Sequence, residues 1–301
     1  MEPRRVWLII GAITAFVAGY LFLDSLMDEL PSLEELENPR PPFATRVYSI
    51  DGELIDKFFE ENRSRIATLD SVPPAFVQAL LATEATRFYD HWGVDLRAVA
   101  PILFVNLSRF TLSGPGGSTI TQQLARKLYL SNEVTITRKL REWITAVQIE
   151  RRYTKNEILI MYINIAPFGR GAYGLQSAAQ EFFSKSPRQL SVAECAFLVG
   201  LLKNPTRYDP RRNYGRAVSR RNTVLMRMAE EEVITDAQFE ALRNDSIVTR
   251  ARTRSAGIAP HFIEYVRQQL REKAEKYGFN LYRDGLTVFT TLDSRMQAHA
   301  N

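Results

Sequence analysis

From Val6 to Leu23 the chain runs for 18 residues without a charge. At about 1.5 Å per residue, a helix of that length just reaches across a hydrocarbon core of about 30 Å. Arg4 and Arg5 precede the run, and Asp24, Asp28 and Glu29 follow it. The positive-inside rule then places the N-terminus in the cytoplasm and the bulk of the chain on the outer side. A cleaved signal peptide is the competing reading, but no A-x-A site follows and the run is long for a signal h-region. The expected start is therefore a cytoplasmic tail over 1–5 and a single-pass anchor over 6–23. Whatever chemistry follows takes place outside the cytoplasm, at a membrane surface, where nucleic acid is a poor partner.

The rest of the chain is ordinary for a folded protein. Of its 301 residues, 45% are hydrophobic and 24% charged. This excludes a disordered chain, a collagen and a polytopic membrane protein. A single cysteine, Cys195, excludes an internal disulfide and a cysteine-based zinc cluster, and three histidines argue against a His-rich metal site. Cys195 lies in the apolar run Ala193–Leu202, so it is expected to be buried.

The net charge of +5 gains meaning from its distribution. Arg126–Lys155 holds eight Lys/Arg against three Glu, and Lys203–Arg227 holds eight against one Asp. At an outer membrane surface such clusters suit anionic lipid or a diphosphate-bearing substrate. For any single Arg, a solvated helix face is the plainer reading.

Along the chain, Glu29–Pro42 is acidic and proline-rich and reads as a stalk. Two β-prone runs flank Asp51-Gly52, a hairpin signal, so 24–60 is expected to be stalk and hairpin. The spacing then predicts helices over 74–89, 119–130, 137–152, 155–163, 172–182, 191–202 and 215–230, with two more within 235–275. Strands are expected around Asp284-Gly285. The fold class is mainly α, with an α+β minority. The last residues, Ala298–Asn301, read as the start of a helix, which suggests a longer protein.

Four features carry chemistry. In the predicted first helix Val77, Leu80, Leu81, Glu84 and Phe88 share a face, and His91 continues it. A carboxylate on an apolar stripe is partly desolvated, which raises its pKa and suits a general base. The alternative is a structural Glu paired with an Arg at a helix junction. Ser113–Gly117 leads into Ser118-Thr119-Ile120-Thr121-Gln122-Gln123, a glycine turn with a capping-box pattern at Thr119 and Gln122. Such a turn cradles an anion or a sugar, or is simply a capped turn. Arg138 and Lys139 precede Glu142 by four and three residues, so all three share a helix edge and the carboxylate should be ionised and paired. Val99–Leu112, with Arg109 as its one charge, reads either as a core helix or as a surface dipping into the outer leaflet.

In this order the pieces resemble the peptidoglycan glycosyltransferases of glycosyltransferase family 51. The motifs are Glu84-x-x-x-Phe88-x-x-His91-x-Gly93, Gly117-Ser118-Thr119-Ile120-Thr121-Gln122-Gln123, Arg138-Lys139-x-x-Glu142, Lys155-x-x-Ile158-Leu159-x-x-Tyr162-Ile163-Asn164 and Arg220-x-x-x-Val224-Leu225. The tail, with Gly285–Val288 and Thr290–Asp293, is similar to the linker before the transpeptidase domain of class A penicillin-binding proteins. The chain has neither Ser-x-x-Lys nor Lys-Thr-Gly, so acylation by β-lactams is not expected.

The resemblance implies a lysozyme-like helical domain over 61–235 with a membrane-proximal lobe at Val99–Leu112, followed by a linker over 236–301. It implies polymerisation of lipid II into glycan strands at the bacterial inner membrane, with membrane lipids and other cell-wall synthesis proteins as partners. Glu84 would be the general base. Glu142 would serve the donor side, with a divalent cation (Mg or Mn) possible there and none obligatory. Substrate binding would fall to Phe88, His91, Gly117, Ser118, Thr119, Gln122, Gln123, Arg126, Lys127, Arg138, Lys139, Lys155, Tyr162, Asn164 and Arg220. The chain departs from the family pattern in two places: Ala85 stands where Asp is usual, and Arg126-Lys127 where Lys-Asn is usual. The competing readings are a lysozyme-like hydrolase and, because of Ala85, a degenerate membrane scaffold.

Overall fold

Most helices begin on a side chain that caps them. Thr119 and Gln122, Ser191 and Glu194, and Thr235 and Gln238 form reciprocal capping boxes, while Thr135 and Asn213 cap with their own side-chain oxygens. Each satisfies backbone N–H groups that the first helical turn leaves orphaned. A computed structural model describes residues 7, 14, 16, 17, 19, 20, 22, 24–27, 30–37, 45–58, 62–63, 66–98, 117–130, 135–249, 259–282 and 284–300. In chain order its elements are α1 (Leu33–Glu37), β1 (Thr45–Tyr48), β2 (Leu54–Phe58), β3 (Asn62–Arg63), α2 (Pro74–Glu84), α3 (Ile120–Tyr129), α4 (Ile136–Arg152), α5 (Lys155–Ile165), β4 (Pro167–Gly169), β5 (Ala172–Tyr173), α6 (Leu175–Phe183), α7 (Val192–Leu202), α8 (Tyr214–Glu230), α9 (Asp236–Leu242), α10 (Pro260–Tyr277), β6 (Thr287–Phe289) and α11 (Ser294–Ala300). The fold is mainly helical. Among the described residues no helix is long and apolar enough to cross a membrane. Most of the expected anchor and all of Val99–Leu112 lie outside the described residues.

The chain divides into two units. The first joins 1–39 with 89–158. In it α3 packs on α4. The α4 helix buries Glu142, Thr145, Ala146 and Ile149, at spacings of three and four. It also grips the N-terminal segment: Arg141 Nη2 donates to the Ser25 carbonyl at 3.2 Å, and the Tyr153 hydroxyl to the Leu36 carbonyl at 2.5 Å. Leu36 is fully buried.

The second unit joins 40–88 with 159–301. Its centre is α7, buried almost all round from Ala193 to Leu201, with α2 and α8 packed on it. Such a uniformly apolar helix is stable only inside a core. Cys195 sits there wholly buried, and burial, with Glu194 adding to it, pushes its thiol up to about 12. A smaller core forms where β1, paired antiparallel with β2 and parallel with β6, meets α10 through Val47, Ile55, Phe58, Ile263 and Leu281.

Two predicted elements change at their ends. The helix expected over 74–89 stops at Glu84, and Phe88 reaches full burial through a turn in which its N–H bonds the Ala85 carbonyl at 2.9 Å. The buried residues of α2 are Phe76, Ala79, Leu80 and Ala82, and Val77 and Leu81 are only half-buried. The helix expected over 172–182 begins at Leu175, because Gly171 and Gly174 take φ of 74° and 80° on either side of β5. A side chain at Gly174 would meet the Asn164 carbonyl oxygen at 2.5 Å, so only glycine fits.

Candidate active site

In the first unit, α4 presents Arg138, Lys139 and Glu142 on one edge, as their spacing predicts. Arg138 Nη1 donates to Glu142 Oε2 at 2.7 Å, and Lys139 Nζ donates to Glu142 Oε1. Only 2% of the Glu142 side chain is exposed, so the two cations replace its lost hydration. Lys139 Nζ also donates to Ser118 Oγ at 2.9 Å, which ties this edge to the start of α3.

At that start, Thr119 is buried and its hydroxyl is used twice. It accepts from Gln122 N at 3.1 Å and donates to the Gly93 carbonyl at 2.6 Å. Gln122 returns the cap from its side chain and is itself fully buried. Gly117 and Ser118 are half-buried beside it, and one turn on, Gln123 and Arg126 are half-buried while Lys127 is exposed. Gly93 has φ of 109°, and a Cβ there would lie 2.8 Å from the Ala146 backbone of α4.

A second cluster in this unit is centred on Glu150, which the sequence analysis did not single out. Glu150, two turns beyond Glu142 on α4, accepts from Thr121 Oγ1 at 2.6 Å and from Lys155 Nζ at 2.8 Å. Lys155 Nζ also donates to the His91 carbonyl at 2.6 Å, and His91 Nδ1 accepts from Gly93 N at 3.2 Å. The available signal was a Glu inside a window dominated by cations.

In the second unit, Glu84 closes α2 and faces Arg220 of α8, with Nη2 3.8 Å from Oε1. Arg220 Nε donates to the Gly200 carbonyl at 3.3 Å. Phe88, Tyr162 and Asn164 are buried, and Asn164 pairs both ways with the Ile66 backbone at 2.7 and 2.9 Å. Arg221, next to Arg220 on α8, is buried as well and donates to the carbonyls of Asp245 and Arg243, so one of the basic-window arginines is structural.

A divalent cation does not fit the described residues. Both Glu142 oxygens already accept from cations, and among the described residues no three His, Cys, Asp or Glu side chains converge.

Residues 51–229 match the family model described as Transglycosylase. The chain belongs to the transglycosylase family, in agreement with its five motifs. Among relatives, it is similar to penicillin-binding protein 1A of Escherichia coli (strain K12), 40% identical over 277 residues that make up 90% of this chain and 32% of that one. It is 37% identical over 297 residues to penicillin-binding protein 1A of Rickettsia prowazekii, covering 97% of this chain and 37% of that one. For the protein of the same name from Pseudomonas aeruginosa the identity is 37% over 300 residues, 98% and 35% of the two chains. The crystal structure of penicillin-binding protein 1A from Haemophilus influenzae is 26% identical and covers 87% of this chain and 28% of that chain, with a TM-score of 0.47. The chain thus spans about a third of the length of these relatives.

Proposed function

We propose that this chain is a peptidoglycan glycosyltransferase that polymerises lipid II into β-1,4 glycan strands. The observation that carries the reading is the Arg138–Lys139–Glu142 group in a member of the transglycosylase family. A buried carboxylate holds two cations in place, which suits them to the charge that develops on a leaving diphosphate. The donor is an α-linked glycosyl diphosphate and the product is β-linked, so one inverting displacement is enough. Glu84 takes the proton of the acceptor hydroxyl, whose oxygen attacks the donor's anomeric carbon. The bond to the diphosphate breaks, and its electron pair leaves with undecaprenyl diphosphate. A single base of this kind is worth roughly 10²- to 10⁴-fold in rate.

Within this reading 6–23 is the anchor, 24–60 stalk and hairpin, 61–235 the lysozyme-like glycosyltransferase domain and 236–301 the linker. The domain acts on the outer face of a bacterial inner membrane, and Val99–Leu112 touches the lipid. Gln123, Arg126, Lys127 and the glycine turn ahead of α3 serve the diphosphate and its sugar. The test is purified protein with labelled lipid II, beside Glu84→Gln. Polymer from the wild type and none from the variant supports the reading. Shortening of preformed glycan would support a hydrolase, and intact binding without turnover by either protein a scaffold.

A further inference from the structure

Glu150 lies where three signature segments meet. Its side chain is 7% exposed. It accepts from Thr121 on α3 and from Lys155 at the start of α5, and His91 Nδ1 stands 3.8 Å away. Lys155 passes the connection on to the His91 carbonyl. His91 accepts from Gly93 N, and the Gly93 carbonyl accepts from Thr119, the cap of α3. These bonds form a continuous network from α4 through α5 and the 91–93 loop to the cap of α3, and back to α4 through Thr121. There is little slack in it, since Gly93 already lies against the α4 backbone at Ala146.

We propose that Glu150 is a positioning residue for the glycosyl transfer, the joint that sets where α3 and the 91–93 loop stand relative to Arg138, Lys139 and Glu142. The inference rests on the glycosyltransferase reading. A neutral side chain here would keep the volume but loosen Lys155, and with it the His91 carbonyl. Lys139 to Ser118 and Glu150 to Thr121 are two of the side-chain bonds that tie the start of α3 to α4 among the described residues. Losing the second lets α3 pivot about the first. A shift of about 1 Å in groups that hold a reacting substrate can cost on the order of 10²-fold in rate. Glu150 itself touches no reacting atom in this scheme, so its loss acts on turnover more than on binding.

The experiment measures kcat and KM on labelled lipid II for wild type, Glu150→Gln, Thr121→Val, Lys155→Met and the Glu150→Gln/Lys155→Met pair. Rates are taken per folded molecule, from melting curves of the same samples. The expected result is a kcat lower by roughly 10- to 100-fold in Glu150→Gln with KM within about threefold of wild type. Thr121→Val, nearly the same shape, should show a smaller loss of the same kind. The double variant should be no worse than the poorer single one, because the two residues act through one joint. Glu150→Gln with kcat within twofold of wild type would overturn the proposal, as would losses that multiply in the double variant. A wild type that makes no polymer sinks the glycosyltransferase reading itself, and this proposal falls with it.

Discussion

Arg220 Nη2 stands 3.8 Å from Glu84 Oε1, joining the last residue of α2 to the middle of α8. The guanidinium is held from behind by the Gly200 carbonyl and lies 5.9 Å from the Tyr208 ring. The planar guanidinium thus addresses two partners at once through two nitrogens, which an ammonium on a flexible stem cannot reproduce. Arg220→Lys should therefore be impaired almost as much as Arg220→Ala. Both should lose about 1–3 kcal/mol of stability through the stranded buried acceptor. Turnover of labelled lipid II and thermal unfolding check this, and a fully active Arg220→Lys would show that charge alone suffices.

Glu142 makes a different prediction. Glu142→Gln keeps the shape of the side chain but leaves Arg138 and Lys139 without a counter-charge. Polymerisation should fall nearly to background, and activity within twofold of wild type would remove Glu142 from the mechanism. Glu142→Ala should also destabilise the first unit, by less than the roughly 3–5 kcal/mol of a fully buried pair, because Lys139 keeps 22% of its side chain in solvent.

Three glycines separate backbone strain from steric overlap. Gly52 has φ of 85° and open space where a Cβ would stand. Gly52→Ala should cost only the left-handed penalty, about 1–2 kcal/mol. Gly93 and Gly174 have positive φ and in addition backbone atoms at 2.8 and 2.5 Å from the new carbon. Alanine at either should cost several kcal/mol, roughly twice the Gly52 value or more, since a backbone cannot swing aside as a side chain can. Denaturant unfolding of the three variants side by side measures the difference.

Asp51 links the hairpin turn to the start of α11. Its carboxylate accepts from Ser294 Oγ at 2.5 Å and from Ser294 N at 3.0 Å. The hydroxyl bond first, then the backbone bond, hold this carboxyl well below the usual carboxylate range. A depressed folded-state pKa gives stability that is present above the ordinary Asp value of about 3.9 and is lost as pH falls through the folded value. Asp51→Asn should melt below wild type at pH 7, and the gap should narrow as the pH drops under about 4. A gap that stays constant down to pH 2 would show that the bond contributes through geometry alone.

What the sequence determines by itself is local. The 3.6-residue period sets Arg138 and Lys139 on Glu142, and caps such as Thr119 with Gln122 need partners only three residues apart. Helix positions and the order of five motifs, hence the family, are legible for the same reason. Tertiary structure decides what depends on distant chain segments. It ends α2 at Glu84 where periodicity alone would run on to 89, because Phe88 reaches the core through a turn. It sets Arg220 against Glu84, binds Asp51 to Ser294, and gathers Thr121, Lys155 and His91 about Glu150. No periodic pattern encodes such meetings. They follow from which faces bury together, and a charged side chain within a basic window reads as solvated until its partner arrives from another part of the chain.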